Sequence, residues 1–307
     1  MSVQNIVSEK IFDVKIPSSK NYDTAEFRLW IPEEVKSLKG ILVIVPGSNM
    51  DGRSWVEASG WQRVIENTKV TVPVSFWQSL ARRHGFGLLG CWFTDKPHEN
   101  MFIEEYAKVS EGSGQALLDA LRELAKLSGH IEIADTPLAF WGISAGGQYN
   151  YEFACWKPDH VITFVLNKGG IYYTALAPQA SRLVPGIFYV GGKDSPFRNN
   201  IIKGIYSMNR RAEALWTLVE EPGKVHEFGA SLEMSETYFD EVIPLRLPER
   251  SGEQLRSLKL EDGYLGDFNT LTYSSYSADK AKENPTIWLP TQKIAETWEV
   301  YVKGITM

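Results

Sequence analysis

The feature that most constrains this chain is a series of apolar runs with no polar alternation. "GILVIV" ends at Pro46 and Gly47, and "FGLLGCWF", "PLAFWG", "VITFVLN", "GIFYVGG" and "LWTLVEE" follow it. A strand with one wet face alternates polar and apolar residues, whereas a continuous run suits a strand covered on both faces, as in a parallel sheet. The segments between the runs carry helical spacing. In "SGQALLDALRELAKLS", Leu117, Leu118, Leu121, Leu124 and Leu127 form one stripe, with Glu123 and Lys126 outside it. In "SPFRNNIIKGIYSMNRRAEA", Ser195 stands at a capping position and Pro196 at the first helical position. Strand and helix alternating in this way predict an α/β fold with crossover helices on a parallel sheet. Ahead of the runs, "IFDVKIP" and "AEFRLWIP" read as two strands joined by the polar turn "SSKNYDT".

After Leu247 the pattern changes. Residues 248–285 are polar, irregular and dotted with tyrosine; then comes "TIWLPTQKIAETWEVYVKG", where Thr291 can cap a helix carrying Ile294, Trp298 and Tyr301 on one face. The chain therefore reads as an α/β unit over residues 1–247 and an extension over residues 248–307, its terminal helix packing on the same domain. The alternative for the extension is that Trp288 or Tyr264 approaches a site mouth.

Composition narrows the function classes. With 307 residues and 43% hydrophobic content, the chain can bury a sizeable core. A formal net charge of -6, with no basic cluster, argues against a nucleic-acid partner. No stretch approaches the length of a membrane span. The first ten residues lack the basic-then-apolar pattern of a signal peptide, so the reading leans towards a cytoplasmic protein unless a leader has been removed. Two cysteines, Cys91 and Cys155, make no disulfide framework, and buried small hydrophobes are the expectation for both.

The segment "FWGISAGGQYNYEFACW" joins the third run to a helix through Gly142-Ile143-Ser144-Ala145-Gly146. In G-x-S-x-G the serine projects from a strained strand-to-helix turn, and larger side chains two residues either way would collide with neighbouring elements. The helix that follows aims N–H groups and its positive end at the reaction centre. The other reading is a cap serine among small packing residues.

A serine hydroxyl needs a base. His84, His130 and His160 each precede a strand, at the edge away from Ser144. His98 follows the "GCWF" strand and competes, but His226, in the loop after the last core run, is the favoured base. The base needs an acid to fix its tautomer. Asp194, in the turn after "GIFYVGG", is that acid, with a helix cap as its structural alternative and Asp95 as its rival. For the oxyanion, one N–H should come from Ala145 and the other from Ser48 or Asn49, after the tight turn at Gly47; losing one such donor typically costs about 3 kcal/mol. Trp92, Phe93 and Met101, with Tyr172 and Tyr173, are candidate pocket residues whose alternative is core or rim packing.

The order Ser144, Asp194, His226 and the segments "VIVPGSNMDGRSW", "GISAGGQYNYEFACWKPDHV", "GGKDSPFR" and "PGKVHEF" resemble an α/β-hydrolase from about Ile41 to Val242. Within that superfamily the chain resembles the serine esterases grouped with polyhydroxybutyrate depolymerases and feruloyl or acetyl-xylan esterases. Pro46 departs from the histidine that many members carry before the oxyanion glycine. The resemblance implies a mostly parallel eight-stranded sheet, an acyl-enzyme mechanism without metal or cofactor, and a small-molecule or polymer-attached ester as substrate. A serine peptidase of the same fold and a hydrolase-fold binding module are the alternatives. A dehalogenase would need an aspartate at Ser144.

Overall fold

The computed structural model describes residues 10–48, 50–57, 76–100, 103–229, 231–250, 252–282 and 286–304. The apolar runs form the strands β3 (Gly40–Val45), β4 (Phe86–Thr94), β5 (Leu138–Gly142), β6 (Val161–Asn167), β7 (Gly186–Gly191) and β8 (Trp216–Glu221). Every residue of β3, β5, β6 and β7 is buried, as continuous apolar sequence requires. With β1 (Lys10–Ile16) and β2 (Thr24–Ile31) they make an eight-stranded sheet in the order β1-β2-β4-β3-β5-β6-β7-β8. The pairings from β4 through β3, β5, β6 and β7 to β8 are parallel, and β2 runs against both β1 and β4.

Because side chains alternate across a pleat, each inner strand feeds two cores. Ile41, Val43, Phe140, Phe164 and Phe188 face one side, where helices α2 (Ser113–Ser128), α3 (Ala145–Trp156) and α4 (Pro196–Arg211) cover them. Leu42, Ile44, Trp141, Val165 and Tyr189 face the other, under α1 (Phe76–His84), α5 (Ser231–Arg246) and α6 (Gln292–Val302). The predicted leucine stripe of α2 is corrected at one end. Leu117, Leu121 and Leu124 are buried, but Leu127 is 58% exposed. At 100° per residue it sits on the flank, about 90° from the centre of the stripe, so the covering helix turns it outward.

The extension forms strands β9 (Tyr264–Asp267), β10 (Thr272–Ser275) and β11 (Thr286–Leu289), antiparallel in the order β10-β9-β11. The Thr291 hydroxyl accepts from Ile294 N at 3.2 Å and caps α6, as its position predicts. Ile294 and Trp298 enter the same core as Val219 of β8, and Trp298 Nε1 donates to the Leu218 carbonyl at 2.9 Å. Trp288 is 1% exposed and donates to the Leu260 carbonyl, and Tyr264 packs edge-on against Tyr273, so both take the packing alternative. Among the described residues, no helix is long and apolar enough to cross a membrane.

Candidate active site

β5 hands over to α3 through Ile143 and Ser144. Ser144 adopts φ 56 and ψ -124, a conformation that costs a non-glycine residue energy and persists only where its surroundings fix it. Two contacts do so here: Ser144 N–H donates to the Asn167 carbonyl at 2.8 Å, and Ile143 bridges Asn167. From Leu138 to Ala154 every residue except Ser144 is buried. The flanking glycines are required by contact. A Cβ on Gly146 would stand 1.9 Å from the Val45 carbonyl oxygen, and one on Gly142 would stand 2.5 Å from the Gly146 carbonyl. The turn thus exposes one side chain, a hydroxyl, at the carboxyl edge of the central strand.

Two strands along that same edge, the turn after β7 carries Asp194 and the loop after β8 carries His226. His226 Nδ1 lies 3.1 Å from Asp194 Oδ2. An ionised carboxylate only accepts, so Nδ1 carries the proton and Nε2 keeps its lone pair for a substrate or nucleophile proton. Asp194 is 8% exposed, and its other oxygen accepts from Ser195 N–H at 2.7 Å and from Arg198 Nη1 at 3.0 Å. The carboxylate therefore also serves the start of α4. Ser195 occupies the N-cap position with Pro196 next, but its hydroxyl makes no capping bond; its own N–H goes to the adjacent Asp194 carboxylate. Burial, and then the Arg198 guanidinium, hold the His226 imidazole below its usual pKa; the hydrogen bond to Asp194 offsets part of this.

The other histidines have their own carboxylates or lie elsewhere. His84 Nε2 meets Asp240 at 2.7 Å and His130 Nδ1 meets Glu132 at 3.0 Å, both at strand entrances. His160 ends the short turn that leads into β6. The rivals at the catalytic edge face each other: His98 Nε2 is 3.4 Å from Asp95, which also accepts from Glu105 N and Tyr106 N. Asp95 thereby holds the 105–107 turn.

Of the expected oxyanion donors, Ala145 opens α3, where first-turn N–H groups have no intrahelical acceptor. Gly47 lies directly against Ser144, a Cβ there being 3.5 Å from Ser144 Cβ, and Ser48 is the next residue along this loop. Asn49 and Met101 lie outside the described residues. The pocket candidates divide. Phe93 is 3% exposed and stacks on Tyr106 and Tyr149, so it belongs to the core. Trp92, on the opposite face of β4, lies under the Arg53 guanidinium at 4.7 Å. Tyr172 packs edge-on against Tyr151, and Tyr173 stays exposed with its hydroxyl donating to the Glu104 carbonyl at 3.2 Å. Cys91 and Cys155 are free, and burial holds both thiols above their usual pKa. Among the described residues, no group of three or more His, Cys, Asp or Glu side chains could hold a metal.

Sequence reasoning missed Arg198, Asn167, Lys168 and Glu221, all of which touch this edge. The available signal was two strands of apolar sequence that end in polar residues, "VLNK" and "VEE".

The strand order, the reversed β2 and the serine elbow after β5 define the α/β-hydrolase fold. A solved structure agrees. A poly(3-hydroxybutyrate) depolymerase from Bordetella parapertussis superposes with a TM-score of 0.51 at 15% identity, over 78% of this chain and 91% of that one. A dienelactone hydrolase from Anabaena variabilis gives 0.49 at 18% identity, over 78% and 99% respectively. No protein-family model and no curated protein matches the chain.

Proposed function

We propose that this protein is a serine carboxylic ester hydrolase with Ser144 as nucleophile, His226 as base and Asp194 as the acid that orients it. The observation that carries the reading is the elbow: in a long buried stretch Ser144 alone is partly open to solvent, at the sheet edge that also presents the His226–Asp194 pair. His226 Nε2 takes the Ser144 proton as Oγ attacks the ester carbonyl. The oxyanion is held by the N–H of Ala145 and by that of Ser48 or Asn49. His226 then protonates the departing alcohol, and water repeats the sequence on the acyl-enzyme. Feruloyl, acetyl and polyester-type esters are the proposed substrates, with exposed Tyr173 and the Trp92–Arg53 stack at the rim. Methyl ferulate, acetylated xylan and short polyesters test that part; turnover confined to aryl acetates would remove it.

The test of the reaction itself is labelling by a fluorophosphonate together with turnover of p-nitrophenyl acetate. One label on Ser144 with ester turnover is expected. An unlabelled, inactive wild-type protein would sink the proposal in favour of a binding module.

The lowered His226 pKa adds a pH prediction. The imidazole must be neutral to act as base, so the acid limb of kcat/KM should fall below the ordinary histidine value of about 6.5. Arg198→Met removes a cation that disfavours the imidazolium, and the limb should then move to higher pH. A limb that stays put or moves lower would contradict the assigned electrostatics.

A further inference from the structure

Beneath the three loops of the proposed site lies a buried ion pair that the mechanism leaves unused. Lys168, the first residue after β6, has 0% exposure and a left-handed φ of 51, unusual for a side chain of its size. Its ammonium donates to the Glu221 carboxylate and, at 3.1 Å, to Asn167 Oδ1. Glu221 ends β8 at 1% exposure, and its second carboxylate oxygen accepts the hydroxyl of Tyr301, from α6, at 2.6 Å. Burial pulls the Lys168 pKa down, and Glu221 opposes that shift.

Asn167, which Lys168 holds by its side chain, and Glu221 touch all three loops of the proposed site. The Asn167 carbonyl takes the Ser144 N–H, and its side-chain amide donates to Ser231 Oγ at 2.8 Å, just past the His226 loop. The Glu221 carbonyl accepts Gly192 N–H at 2.9 Å, in the turn leading to Asp194. Gly229, in the histidine loop, passes so close that a Cβ there would stand 2.3 Å from Glu221 Oε1, and its φ of 59 suits glycine. The elbow thus hangs on Asn167, the acid turn on the Glu221 backbone, and the histidine loop lies against the Glu221 carboxylate that Lys168 and Tyr301 hold. Stability alone is a weak reason to keep it. Desolvating two charges offsets much of their attraction, and well-packed apolar side chains commonly do as well.

We propose that Lys168, Glu221 and Tyr301 are positioning residues that fix the mutual geometry of Ser144, Asp194 and His226, which makes the C-terminal helix part of the active site. This rests on the esterase reading above. None of the three touches substrate; they act through Asn167, Gly192 and the histidine loop.

The test uses the full chain carrying Tyr301→Phe, and separately Lys168→Met with Glu221→Leu. Thermal midpoint, kcat and KM for p-nitrophenyl acetate, and the rate of fluorophosphonate labelling are read on each. The apolar pair should restore or keep the wild-type midpoint while kcat and labelling fall at least about tenfold with KM little changed, since small misplacements of reacting groups carry penalties of this order. Tyr301→Phe should lower kcat by a few-fold within a few degrees of the wild-type midpoint. Full activity in a stable apolar double variant would overturn the proposal. If the double variant fails to fold, wild-type kcat in Tyr301→Phe would overturn it instead. An inactive, unlabelled wild type would be a failure of the esterase reading, a result distinct from either.

Discussion

Gly146→Ala is expected to unfold the elbow rather than merely slow the enzyme. The new Cβ would sit 1.9 Å from the Val45 carbonyl oxygen and 2.6 Å from that of Pro46. Both obstacles are backbone. Val45 is anchored in β3 between β4 and β5, so neither oxygen can swing aside as a side chain would. Relief requires α3 to lift from the sheet, which opens the contact between Gly47 and Ser144. A loss of at least about 3 kcal/mol is expected, at the upper end for overpacked cores. For a chain of 307 residues that corresponds to a melting point lower by roughly 5 °C or more. Gly204→Ala is the control: on α4 its Cβ would meet nothing within 4 Å, so the midpoint should hold or rise slightly. Equal melting behaviour of the two variants would show that the elbow is not packed as described.

Ser144→Ala carries the largest expected loss of activity. Alanine keeps the packing of the turn and removes only the hydroxyl, so the melting curve should be almost unchanged. Turnover of p-nitrophenyl acetate should fall by about 10^3-fold or more, since members of a nucleophile–base pair act as one unit. For the same reason Ser144→Ala/His226→Ala should be scarcely slower than Ser144→Ala alone. Losses that multiply in the double variant would mean that the two residues act in separate steps. A slow background from the oxyanion donors is expected to survive in both variants.

The architecture was legible because burial on both faces leaves a direct trace in composition. Val43 and Ile44 face opposite cores, and both had to be apolar. Ser144 was legible because its glycines answer to local geometry. Asp194 and His226 could be found from position alone, each just past the end of an apolar run, and the structure brings them together. Contacts that depend on distant partners were not legible. Lys168 and Glu221 stand just past β6 and at the end of β8, strands that β7 separates, so nothing local announces that their side chains meet. Tyr301 was recognised as one of the inward residues of a helix, yet its hydroxyl finds a carboxylate 80 positions earlier. Trp92 and Phe93 show a smaller ambiguity. Adjacent strand residues point to opposite faces, so they could not share a pocket, but the sequence alone did not say which one faced the core.

The Asp194 carboxylate joins two kinds of order. One oxygen secures the first turn of α4 through Ser195 N–H, and the other orients the His226 ring. Fraying of that helix end and tumbling of the imidazole are consequently expected to be coupled, because both would release the same carboxylate. A substitution such as Pro196→Gly, which loosens the helix start without touching Ser144 or His226, would blur the orientation of the base. Its effect would appear in the rate and in ring dynamics, with substrate affinity left as it was.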